Sequence, residues 1–245
     1  MSLHRRSVVL GPGLALIVGL ALAPAPASGQ YTAVPFVITP NQHTGISAKL
    51  VGVSVRADVG FPKENLGSYT PVSGLVILNY GRLSASAGLG ALANSEAPDE
   101  LTFGGSLGWD IAYTRAALPT ITLQAAAGYT TLSVEPDALS LWDIPIGLGG
   151  SLPVGPPNWP VNFEPWLALR SHIRSVETVA SSTETDVGFG LSTGLRIMSA
   201  GQHTYHIGVH GAFDWLWIKG PGSDDLENEF TASVGLVLRW NTIKE

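Results

Sequence analysis

Arginine, acid and histidine residues recur in this chain at positions that alternate with apolar ones. They are Arg56, Arg82, Asp110, Asp143, Glu164, Arg170, His172, Arg174, Asp186, Arg196, His206, His210, Asp214 and Arg239. A guanidinium is planar and presents a rigid fork of donors, so it pairs with carboxylates in confined places where water is scarce. The six arginines face five carboxylates, and Asp58, at the rim, would make a sixth. Such near balance predicts a paired network that fills an interior; a selective pore more often shows one dominant sign.

Other chemistry is less supported. His206, His210 and Asp214 share one face at four-residue spacing; on a strand that separates neighbours by about 13 Å, too far to share one metal ion. Hydrogen bonding is the expected role, with a proton relay as the alternative. There is no Gly-x-Ser-x-Gly elbow and no His-Glu-x-x-His pair. Cys is absent, which excludes disulfides and thiolate metal sites. No cofactor is implied. The acidic run Asp224, Asp225, Glu227 and Glu229 is a candidate loop for divalent cations, although its spacing matches no known calcium loop.

The elements that position these residues follow from a period of two. Phe230, Ala232, Val234, Leu236, Leu238 and Trp240 alternate with Thr231, Ser233, Gly235, Val237 and Arg239. That pattern makes a strand with one apolar and one polar or small face. It recurs back along the chain and predicts an all-β protein with ten strands, or eight as the fallback. The segment 72–80 is apolar on both faces, so its orientation stays open; the start near Lys49 is out of phase and suggests a bulge. Residues 1–29 have a basic start, an apolar stretch and small residues at the end, as in a cleaved export signal. Residues 30–45 form a lead, 46–240 the strand region and 241–245 a tail. Removing the signal's two arginines leaves 13 − 2 = 11 basic against 19 acidic residues, a net charge of 11 − 19 = −8. That argues against a nucleic-acid partner.

Which face meets water decides the class. A charged share of 13% is low, and Lys is missing from the firm strands. If the N-terminus starts in the periplasm, Tyr80, Tyr113, Phe163, Tyr205 and Trp240 fall at one end of the strands. Phe103, Tyr129, Trp142, Phe189, Trp215, Trp217 and Phe230 fall at the other. Aromatic belts at both ends are expected where amphipathic rings lie at headgroup level. Connections are expected to be longer at the outer end. These features predict an up-and-down antiparallel barrel in a membrane, apolar outside and polar within. A soluble periplasmic ligand-binding barrel is the alternative.

On this pattern the chain resembles the small bacterial outer-membrane β-barrel proteins, the group that includes the OmpA transmembrane domain and OmpX- and OmpW-like proteins. The resemblance covers about residues 45–240 and implies contact with outer-membrane lipid and lipopolysaccharide. It also implies insertion by the barrel-assembly machinery, for which Val234-Leu236-Leu238-Trp240 looks like the C-terminal signal. The expected role is structural or surface interaction, without enzymatic activity. The alternatives are a narrow channel for small solutes and a rim enzyme using His172, Asp186 and Asp214.

Overall fold

A computed structural model describes residues 51–62, 70–93, 100–112, 119–134, 137–154, 159–178, 183–200, 204–219 and 226–242. They form ten strands: β1 (Val51–Pro62), β2 (Thr70–Tyr80), β3 (Leu83–Ala93), β4 (Glu100–Ala112), β5 (Thr120–Val134), β6 (Asp137–Ser151), β7 (Val161–Thr178), β8 (Thr183–Ser199), β9 (Tyr205–Lys219) and β10 (Leu226–Thr242). Each pairs antiparallel with its sequence neighbours, and β1 closes the ring on β10. Closure leaves no edge strand with unpaired backbone groups, the condition a sheet must meet to enter a bilayer. The expected signal, the lead, the start near Lys49, Tyr113, Asp224 and Asp225 lie outside the described residues.

The alternation seen in the sequence sets the facing. On β1, Val53, Val55, Ala57, Val59 and Phe61 are exposed, while Gly52, Ser54, Arg56, Asp58 and Gly60 are buried. The ambiguous segment is resolved by its pairing with β1 and β3: Val72, Val76, Leu78 and Tyr80 point out, and Leu75 points in. A two-residue turn, Gly81-Arg82, joins β2 to β3, with Gly81 at φ 58°. Glycine adopts that left-handed conformation without the Cβ penalty other residues meet.

Two expectations about connections change. The outer-end connections are not the longer ones. The far end, opposite the β1 start and the β10 end, has connections 63–69, 94–99, 135–136, 179–182 and 220–225; the terminal end has 81–82, 113–119, 152–160 and 200–204. Polar residues assigned to outer loops are instead absorbed into strands, because alternation and ladder pairing continue past the apolar band. Strands β7 and β8 reach 18 and 17 residues, while β2 and β3 have 11 each. At about 3.3 Å per residue the walls differ by roughly 20 Å along the strands. At the other end of the barrel, Asn241 and Thr242, expected in the tail, pair with Gly52 and Val51.

Candidate functional site

The outer surface comes first, because it sets the medium around everything inside. Exposed outward residues include Val55, Leu78, Leu107, Ile146, Leu169, Ile207, Leu236 and Leu238, while the buried set includes five arginines. Register pairs Trp240 with Tyr205 at the terminal end and Phe230 with Trp215 toward the far end. The ten residues between these aromatics span about 33 Å along a strand, or roughly 25 Å along an axis tilted by about 40°. That matches the apolar band of a transmembrane barrel, about 25 Å tall. This chain is a membrane-spanning barrel. In a soluble barrel the two faces would be exchanged, so the soluble alternative fails on facing.

The belts are built from packed rings. Phe103, Tyr129 and Trp142 lie on β4, β5 and β6, with centroids 5.0 Å (Phe103–Tyr129) and 4.8 Å (Tyr129–Trp142) apart. Phe189 stacks on Trp217 at 5.8 Å, and Trp215 is shielded between Phe213 and Phe230. Phe163 packs on Trp159 at 5.7 Å. Tyr80, Tyr205 and Trp240 are exposed at the terminal end.

Inside, the far half holds one ionic cluster. Arg174 Nη1 donates to Glu229 Oε1 at 2.5 Å, and Nη2 donates to Oε2 at 3.0 Å. His172 Nδ1 lies 3.0 Å from both carboxylate oxygens of Asp143, and Arg174 Nη2 is 3.9 Å from Asp143 Oδ2. Asp186 is Arg174's register partner on β8. One step down, Asp214 accepts hydrogen bonds from Arg170 Nη2 and from Ser192 Oγ. The β7–β10 bridge passes over β8 and β9. It can do so because β8 turns Gly188, Gly190, Ser192 and Gly194 inward, a trough of small residues. A Cβ on Gly190 would lie 2.7 Å from His172 Nε2, and one on Gly194 would lie 2.6 Å from the Trp166 ring.

The terminal half holds a second cluster. Arg56 Nε donates to Asp58 Oδ2 at 2.7 Å, and His210 Nε2 hydrogen-bonds Asp58 Oδ1. Arg196 Nη1 is 3.8 Å from Glu164 Oε2, and Arg239 Nε is 3.4 Å from Ser54 Oγ. His206 Nδ1 bonds the Ser199 carbonyl at 2.9 Å. Between the clusters Trp166, Ala168 and Ala212 form a buried apolar layer. The opposite wall is lined by small groups: Ser86 and Ser106 share a 2.7 Å hydrogen bond, and Thr122 Oγ1 donates to Asp110 Oδ1 at 2.6 Å.

Most of the expected lumen residues are therefore inside, but four placements differ. Arg82 is exposed in the β2–β3 turn: the tight turn ends the ladder just before Leu83. Asp58 is not at the rim but buried beside Arg56 and His210. Glu229 is not a loop ligand; it is 2% exposed and bound to Arg174. Glu100, whose polarity beside the 94–99 connection suggests a loop, is buried on β4. The even balance of charges shifts accordingly toward carboxylates. Continuing the β10 alternation by one more step past Thr231 places Glu229 inward, and the same parity places Glu100 with Thr102. The residues considered for a rim enzyme all lie in the far cluster: His172 is buried against Asp143, Asp214 binds Arg170 and Ser192, and Asp186 pairs in register with Arg174. Inward Leu216 is hidden in the sequence because its neighbours Trp215 and Trp217 are apolar too, and Leu141, Val176 and Ile218 are also buried inside.

The sequence matches no protein-family model and no curated protein. Its structure is similar to that of neisserial surface protein A, with 12% identity, coverage of 79% of this chain and 97% of that one, and a TM-score of 0.36. It is similar to the outer-membrane protease OmpT from Escherichia coli at 8% identity, with 79% and 94% coverage and a TM-score of 0.37. The translocator domain of the autotransporter NalP from Neisseria meningitidis gives 12% identity, 79% and 89% coverage and a TM-score of 0.45. The barrel assignment rests on this chain's own topology and facing.

Proposed function

We propose that the protein is an integral outer-membrane barrel with a structural or surface-interaction role, whose lumen is closed by its own side chains. The observation that carries this reading is the chord from Arg174 on β7 to Glu229 on β10. It spans two intervening strands, and the apolar cluster of Trp166, Ala168 and Ala212 lies below it. A water path along the β7–β10 side would have to cross both. The terminal end faces the periplasm and the taller β7–β10 wall projects outward, after export by the N-terminal signal and insertion through the C-terminal strand. Lipid and lipopolysaccharide surround the aromatic belts. No bond-making chemistry is assigned to the lumen.

Two measurements test this. In detergent the unheated protein should migrate differently from the heated protein on a gel, and it should fractionate with outer membranes; recovery from periplasm without detergent would refute the placement. In planar bilayers the purified barrel should give no stable, regular openings, and a reproducible unitary conductance would refute closure.

A further inference from the structure

The tall wall opens along one seam. At the far end β7 stays paired with β8 as far as Glu177 and Thr183, and β9 stays paired with β10 as far as Lys219 and Leu226. Between these two hairpins the β8–β9 ladder stops at Phe189 and Trp217. Gly188 still lies against Ile218, where an added Cβ would come within 2.6 Å of the isoleucine Cβ, so the strands part just beyond. Among the described residues nothing pairs with β8 on that side from Thr183 to Val187, and Thr183, Glu184, Thr185 and Val187 are exposed.

The sequence explains why β9 does not continue beside this edge. Extending the Phe189–Trp217 register would set Gly220, Pro221 and Gly222 against Asp186, Thr185 and Glu184. Proline has no N–H to give a ladder, and glycine is a weak strand former. The same connection carries Asp224 and Asp225, which repel the acids of β8. The seam also begins at the stacked Phe189 and Trp217 rings, where the apolar band ends. Its backbone groups therefore meet water rather than lipid, and a bare strand edge in water is a template for another strand.

Charge selects the occupant. Residues 175–187 hold Glu177, Glu184 and Asp186 and no Lys or Arg. A second copy of this edge laid antiparallel would bring acids onto acids, which disfavours pairing between copies. Glu184 and Asp186 share the inward face of β8, and Thr183, Thr185 and Val187 the outward one. We infer that the β8 edge from Thr183 to Val187 docks an extended basic segment of a partner protein. The segment adds as a strand, with Lys or Arg on its inward side and β-branched residues on its outward side. Such docking deepens the surface-interaction role proposed above and rests on it for the side of the membrane from which the partner comes.

The test uses the full chain folded in a non-ionic maltoside detergent. Without peptide, the amides of 183–187 should exchange with deuterium faster than those of 191–197, which are paired on both sides; slow exchange there would overturn the open edge. A capped octapeptide alternating lysine with valine should bind saturably and slow exchange in 183–187. No binding, or binding without that protection, would overturn the site. The glutamate–valine analogue and the fully N-methylated lysine–valine peptide should each bind about tenfold more weakly or less, and equal binding by either would overturn a basic strand as the occupant. Glu184→Lys should weaken binding roughly tenfold, while Arg82→Ala, at the other end of the barrel, should leave it unchanged. Labelled peptide added to intact cells tells the two readings apart. More binding to cells with the wild type than with Glu184→Lys supports both; binding in detergent with no such difference on cells supports the edge and refutes an outward far end.

Discussion

The far and terminal halves of the lumen use the same residue types to opposite effect. In the far half Arg170 and Arg174 meet Asp143, Asp186, Asp214 and Glu229, so every guanidinium has a carboxylate and acids are in excess. In the terminal half Arg56, Arg196 and Arg239 share the interior with Asp58, Asp110 and Glu164. The whole chain follows the same gradient: of its 19 acids, only Asp58, Asp110, Glu164 and Glu245 belong to the terminal half. The far cluster is thus acidic and tied together by hydrogen-bonded ion pairs, while the terminal one holds more guanidinium groups and looser pairs. The difference teaches that a filled lumen need not be uniform. The far half behaves as a strut across the barrel.

The largest expected effect tests the strut. Arg174→Met leaves Glu229 buried without its partner and should cost about 3–5 kcal/mol of unfolding free energy, whereas Arg174→Met with Glu229→Leu should recover most of it. Denaturant titration of the folded barrel measures both. Arg196→Met in the terminal half should cost less, about 1–3 kcal/mol, because its ion pair with Glu164 is 3.8 Å long and is not a hydrogen bond. Equal costs for the two single variants would erase the contrast between the halves.

The medium outside is next. Leu236→Lys on the outer face should cost about 2–4 kcal/mol if the residue lies near the bilayer midplane. On a water-facing surface the same change should cost less than about 0.5 kcal/mol. Within the terminal half, Gly235→Ala places a Cβ against Asp58, the Ala57 carbonyl and His210 Nε2. It should destabilise by about 1–3 kcal/mol through overpacking, and a double-mutant cycle with His210→Ala should show that the two changes are coupled. The smallest effect belongs to Arg82→Ala, expected within about 0.5 kcal/mol because the turn side chain is exposed. A large loss there would return Arg82 to the lumen network.

Much of this fold was legible before any coordinates. The ten strands, the antiparallel up-and-down order and the inward set Arg56, Asp143, Arg170, Arg174, Arg196 and Arg239 follow from a period of two, because successive strand side chains point to opposite faces. Where reading failed, it failed at strand ends. Glu229, Glu100 and Arg82 each lie within three residues of a boundary, where polarity suggests a loop and parity suggests a strand, and only ladder pairing arbitrates. Asp58 was misplaced for a related reason, since its depth depends on pairing with Gly235 and Ser73.

Composition and alternation alone determined that apolar side chains point to one medium and charges to another, since the chain has too few charges for a water-facing surface and its apolar residues recur at every second position. The sequence also carried the sorting of acids toward one end. Tertiary structure decided the partners. Arg174 reaches Glu229, 55 residues away, and His210 reaches Asp58, 152 residues away, through ring closure and the glycine trough of β8. No local spacing encodes such pairs, because they depend on which strands face each other across the lumen and on how far each side chain can cross it.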